Sequence, residues 1–177
     1  SDGLVWRSLS SNDDKFPSDA VLIDGSEDDS LQMKQMYIGA VNLQQCSCHG
    51  PVGDVAVGYV KRHRIGKTEK FTTIVSYAYG TKAIKADAND CMLRILTNPT
   101  GLKLLWLPGK EGQVPKNAVG YSYLDDETSR VVHIARTTDS KIIGKMHPHQ
   151  RCLYFPNFEK NIEEKRSEYE ILCVANE

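Results

Sequence analysis

The phrase Pro-x-x-Ala-Val occurs twice in this chain, about a hundred residues apart, and each time acids follow it: KFPSDAVLIDGSEDD at 15–29 and QVPKNAVGYSYLDD at 113–126. Further matches fall in the same order when Pro17 is set on Pro115. Trp6 and Trp106 precede the two prolines; Tyr37-Ile38-Gly39-Ala40 lies opposite His133-Ile134-Ala135-Arg136. Val57-Gly58-Tyr59 lies opposite Ile143-Gly144-Lys145, Tyr77 opposite Tyr154, and Arg94-Ile95-Leu96 opposite Glu170-Ile171-Leu172. The first copy carries insertions near 44–54 and 61–70. Landmarks in one order along both halves indicate a diverged tandem duplication, and a repeat of this kind dictates the architecture.

Each half is written in strand-length runs: AVLI, MYIGAV, DVAVGYV and FTTIVSYAY, then LKLLWL, NAVGYSY, RVVHIAR, RCLYF and YEILCV. β-Branched and aromatic residues dominate these runs, and Gly, Pro, Asp or Asn separates most of them. Helical apolar spacing is nowhere sustained; NFEKNIEEKRSEYEIL has too few apolar residues for a face and reads mostly as an exposed, turn-rich connection. One half has too few strands to cover its own sheet. The expectation is an all-β fold of two diverged tandem repeats, packed as antiparallel sheets around a pseudo-two-fold axis. Residues 1–98 and 102–177 form the repeats and together make one compact domain, joined at the breaker cluster TNPTG (97–101).

Composition narrows the function classes. A net charge of −1 argues against a dedicated nucleic-acid binder. No apolar run approaches the roughly 20 residues of a membrane helix. The start, SDGLVWRSLSSNDDKF, shows no signal pattern, so a cytoplasmic place is expected, with vesicle association or leaderless release left open. Five cysteines without framework spacing fit a reducing compartment. CSCH (46–49) and HPHQRC (147–152) hold zinc-type ligands without finger spacing, so neither metal nor cofactor is expected. KRHRIGKTEK (61–70) is a basic run whose ordinary reading is a solvated hairpin tip, with peripheral membrane contact also open. No phosphate loop, Gly-x-Ser-x-Gly or His-Glu-x-x-His is present, and the chain does not read as an enzyme.

The second copy carries Trp106, VPKNAV (114–119), HIAR (133–136), GKMHP (144–148), CLYFP (152–156) and YEILCV (169–174); the first keeps Trp6, FPSDAV, YIGA, VGY, SYAYG and RIL. This series, covering nearly the whole chain, resembles the DM-nine repeat family, whose members include calcium-independent, mannose-recognising lectins of invertebrate immunity. The resemblance implies a binding module for mannose-containing glycans, in which an acid after the N-A-V strand and the Lys of the G-K motif hold the sugar. On this chain those positions are Asp125, with Asp126 beside it, and Lys145. The chemistry suits a sugar: a carboxylate accepts from two hydroxyls while an ammonium donates to an oxygen. Tyr121, Tyr123 and His147 are the nearby candidates to cover the C–H face.

A plainer reading stands beside it, with Asp125 and Asp126 as a turn and Lys145 as a solvated surface charge. Both charges are expected where strands meet loops, where their removal would leave the fold intact. In the first copy Tyr59 occupies the place of Lys145; Lys61, two residues on, is the substitute donor and Asp24 the candidate acid, so that site should be weakened or altered. The alternative function is an intracellular or membrane-associated interaction protein on the same fold with an eroded sugar site. Homodimerisation is compatible with either. Since a chain of this length needs no staples, its melting temperature should be unmoved by reductant and by chelator. A large drop with chelator would bring the Cys/His cluster back as a zinc site.

Overall fold

In the computed structural model, residues 3–10, 15–23, 36–43, 55–68, 70–88, 92–122 and 131–175 are described. The strands are β1 (Val5–Leu9), β2 (Tyr37–Asn42), β3 (Val55–Arg64), β4 (Phe71–Tyr79), β5 (Lys82–Asp87) and β6 (Met92–Thr97) in the first half. The second half holds β7 (Leu104–Lys110), β8 (Gly120–Ser122), β9 (Val131–Arg136), β10 (Ile143–His147), β11 (Cys152–Asn157), β12 (Ile162–Arg166) and β13 (Glu168–Val174). All pairings are antiparallel, in one curled sheet.

The strand order is β1-β6-β2-β3-β4-β5-β12-β11-β10-β9-β13-β7, with β8 added to β9. Read from either edge it is the same: β1 answers β7, β6 answers β13, β2 answers β9, and β3, β4 and β5 answer β10, β11 and β12. The registers agree residue by residue. Trp6 is opposite Leu96 and Trp106 is opposite Leu172. Gly39 faces Gly58 and Ile95, while Ala135 faces Gly144 and Ile171. The Pro-x-x-Ala turn also recurs: Ala20 N–H donates to Pro17 O at 3.1 Å and Ala118 N–H to Pro115 O at 3.3 Å. The next residue then joins the closing strand, Val21 N–H to Leu96 O and Val119 N–H to Leu172 O. The pseudo-two-fold axis runs where Lys82 pairs with Ile162, themselves equivalent residues.

One landmark moves by a residue. Gly58 lies opposite Tyr77, whereas Lys145 lies opposite Tyr154, which sets Gly144 against Phe155. Tyr77 therefore answers Phe155, and Tyr154 answers Ser76. The charged stretch read as a connection is instead β12, the turn before it and the start of β13. Five consecutive pairs with β11 hold β12 in place through its backbone, so its strand state needs no apolar face. The runs VWRSL (β1) and KAIKAD (β5) are likewise strands that apolar patterning does not announce.

Burial explains why the halves close on each other. Every position of β2 is buried, so both faces of that strand need cover. Tyr37 and Val41 pack into a cluster belonging to the first half, with Val60, Val75 and Tyr77. Ile38 and Ala40 point the other way, into a cluster shared with Val119, Val132, Ile134, Ile143 and Leu172 of the second half. Met146, Leu153, Phe155, Tyr169 and Ile171 form the second half's own cluster. Trp6 of β1 packs on the shared cluster, its indole N–H donating to Gly120 O at 3.1 Å.

Gly58 and Gly144 occupy the same place in the two halves, where a Cβ would collide with the carbonyl oxygen of Ser76 or Tyr154. Backbone within a ladder cannot yield as a side chain can, so alanine at either position forces the strands apart. Gly58→Ala and Gly144→Ala should each cost about 2–3 kcal/mol in urea unfolding. Gly80→Ala, which meets only open space at φ +58, should cost roughly 1 kcal/mol from backbone strain alone.

Candidate functional site

Strand alternation puts Ile143, Lys145 and His147 on one face of β10, toward the first half, and Met146 on the other. The neighbouring β11 sets Tyr154 opposite Lys145 and Cys152 opposite His147. From the first half, the end of β4 brings Tyr79 and Gly80 to the same place. These side chains and the Gly80 backbone, with Gln150 and Glu163, line a cavity of about 170 Å³. Drug-sized clefts run to roughly 300–1,000 Å³, so this one suits a single small polar ring.

Lys145 is only 4% exposed. Its Nζ donates to Val55 O of the first half at 2.9 Å and stands 5.3 Å from the centroid of the Tyr79 ring. His147 is buried too, its ring edge-on to His149 at 5.2 Å and to Tyr154 at 5.9 Å. The Tyr154 phenol is pushed up to about 12, chiefly by its hydrogen bond with the Cys152 side chain, then by burial and by nearby negative charge, including that of Glu163. It therefore stays a neutral O–H near neutral pH. An ammonium, a carboxylate, a phenol, an imidazole and an amide thus converge beside an aromatic ring. Vicinal hydroxyls, each both donor and acceptor, are the chemistry such a set complements.

The sequence expectations divide accordingly. Lys145 and His147 do come together. Lys145, however, is neither a solvated surface charge nor at a strand–loop junction: it lies mid-strand, buried, and bonded to the other half's backbone. Tyr121 is not a sugar platform. At 3% exposure it sits in the shared core, its hydroxyl donating to Asn42 Oδ1 at 2.6 Å and its ring edge-on to Trp6. Lys61 is exposed on β3 and opposite Ile74. Tyr123, Asp125 and Asp126 lie outside the described residues, as do Asp24, Cys46, Cys48, His49 and Cys91.

Tyr79, Gln150, Tyr154 and Glu163 were missed as pocket residues. SYAYG and CLYFP were visible only as repeat landmarks, and Glu163 sits in a charged run with nothing to single it out. Contact across the two-fold axis assembles them, and no local pattern encodes that contact. Tyr59, the counterpart of Lys145, also reaches across: its hydroxyl accepts the Ile143 N–H at 2.6 Å.

Fold and pocket together define a tandem-repeat, all-β protein with a polar cavity built from both halves. The family model described as the DM9 repeat matches residues 55–164, and the chain belongs to that family. Among solved structures, the crystal structure of the nematode sperm cell motility protein MFP2B is similar, with a TM-score of 0.59 at 14% sequence identity. The likeness covers 98% of this chain and 46% of that one, so the chain spans about half its length and shares its fold. None of the curated proteins matches.

Burial pushes the Tyr59 phenol up to about 12, the Ile143 N–H offsetting part of that rise. A folded value above the unfolded one means the stability Tyr59 contributes is intact below pH 10.0 and is lost as pH rises from there to about 12. Tyr59→Phe should therefore flatten that alkaline slope in urea unfolding. At neutral pH it should cost about 1–3 kcal/mol, because the Ile143 N–H is left without its acceptor.

Proposed function

We propose that this protein is a non-catalytic carbohydrate-binding module, a lectin that takes a neutral hexose of mannose type in the Lys145 cavity without a metal ion. The observation that carries the reading is the convergence of Lys145, Glu163, Tyr154, His147 and the Tyr79 ring in one space of about 170 Å³. The Glu163 carboxylate supplies the acceptor for paired hydroxyls, Lys145 and Tyr154 supply donors, and Tyr79 offers a ring for a C–H face. Membership of the DM9 repeat family supports the same reading. The family resemblance adds Asp125 as a second acid. A calcium-independent recognition role at cell or glycoprotein surfaces follows, and dimerisation would raise avidity for multivalent glycans through effective concentration.

A second reading is favoured by one observation. Lys145 and Tyr59, at equivalent positions, both bond the backbone of the opposite half, which is a structural task. The protein would then be an intracellular or membrane-associated interaction module with an eroded sugar site.

Calorimetry with mannose and a glycan array separate the two. Lys145→Met, which keeps the aliphatic stem, and Glu163→Gln should each weaken mannose binding roughly ten- to a hundredfold, the scale of a lost charged hydrogen bond. Chelator should leave the wild-type titration unchanged. Full binding by Lys145→Met and Glu163→Gln alike would exclude this pocket as the sugar site, and full binding by Asp125→Ala would remove the acid that the family resemblance implies. An empty array with a folded protein would favour the interaction module.

A further inference from the structure

The two halves differ at the β3–β4 hairpin. In the second half β10 ends at His147, and a single 3₁₀ turn, Pro148–Gln150, leads into β11. The equivalent of His147 is Lys61, yet β3 continues to Arg64 and β4 begins only at Phe71. Everything beyond Lys61 is therefore an extension that the repeat does not require. Together with Lys61 at its base, it carries Arg62, Arg64, Lys67 and Lys70, so that 61–70 holds five of the chain's 22 Lys and Arg, plus His63, against the single acid Glu69. A chain of net charge −1 has concentrated its cations there.

Hydrogen bonds tie the described residues of the tip together. Ile65 N–H donates to Lys70 O at 2.9 Å, Thr68 N–H to Ile65 O at 3.2 Å, and the Thr68 hydroxyl to Ile65 O at 2.6 Å. Lys70 N–H donates back to Thr68 Oγ1 at 3.2 Å, and Gly66 supplies the left-handed residue at φ +59. This turn presents Ile65, 48% exposed, at the end of a cationic ribbon.

We propose that the β3–β4 hairpin docks the protein on anionic membrane surfaces, with Ile65 entering the headgroup boundary and the surrounding cations facing lipid phosphates and carboxylates. The charge complementarity is direct: basic segments concentrate at anionic leaflets, and a short apolar tip adds buried area at the interface. Lysine stems can lie along that boundary while their ammonium groups stay among the headgroups. A single-stranded nucleic acid is the less fitting partner, since such sites stack bases on aromatic rings and 61–70 contains no Trp, Tyr or Phe.

Cosedimentation with vesicles of phosphatidylserine and phosphatidylcholine, against phosphatidylcholine alone, tests this. Binding should require the anionic lipid and weaken as salt shortens the Debye length. Lys67→Glu with Lys70→Glu should weaken it about tenfold or more, consistent with the contribution of individual cations near such a surface. Ile65→Ser should weaken it several-fold and leave the salt dependence in place. Equal binding to neutral vesicles, undiminished binding by both variants, or binding of single-stranded RNA with none of vesicles would each overturn the proposal. Far-UV circular dichroism of the variants, substituted only at exposed tip positions, confirms that the fold is kept.

Discussion

The structure depends on the meeting of β3 and β10 across the pseudo-two-fold axis. Each half is a sheet with two apolar faces, and it can satisfy only one from its own residues. The other face is covered by the partner half, and the shared cluster that results draws on β2, β3 and β6 with β8, β9, β10 and β13. Hydrophobic burial of this kind is proportional to area and indifferent to direction. The direction comes from polar groups that reach across: Lys145 to Val55, Tyr59 to Ile143, and Trp6 to Gly120. A buried donor or acceptor left without its partner is costly, so these bonds fix how the halves are rotated on each other.

Duplication also explains why the molecule has a polar cavity at all. The β5–β12 junction has only one strand pair, Lys82 with Ile162, plus the Glu163 N–H bond to Thr81 O. Beside this thin seam the packing is incomplete, and side chains of the two halves line the gap. Symmetry gives each half the same inward position on its third shared strand. Divergence has put Lys145 at one and Tyr59 at the other, so a single scaffold carries two unlike sites. Both keep the bridging task, and each also lines a cavity: Lys145 the one with Tyr79, Tyr154 and Glu163, Tyr59 the one with Phe155, Asn157 and Glu164.

Much of this was legible beforehand. The ordered landmarks gave the duplication, and the registers of Trp6, Trp106, Gly58, Gly144, Ile95 and Ile171 reproduce it. Side-chain likeness is not equivalence: Tyr77 and Tyr154 are both tyrosines in SYAYG and CLYFP, but strand register sets Tyr77 on Phe155. The place of Tyr121 is hidden from the sequence for a related reason. A tyrosine after the N-A-V strand can point to solvent or to the core, and only the packing of Trp6 and the Asn42 amide against it decides.

What the sequence by itself determined is therefore the kind of object: β-branched runs of strand length, written twice, with a Pro-x-x-Ala-Val entry and a Gly on the facing strand of each copy. Those are local demands of pleat, turn and close backbone approach, and a linear reading can find them. Tertiary structure alone decided that Lys145 is an interior residue and that Glu163 and Tyr79 are its neighbours in the pocket wall. Residues 66 and 18 positions away from it reach that wall because two sheets rotate about one axis. No spacing along the chain records the result of that rotation.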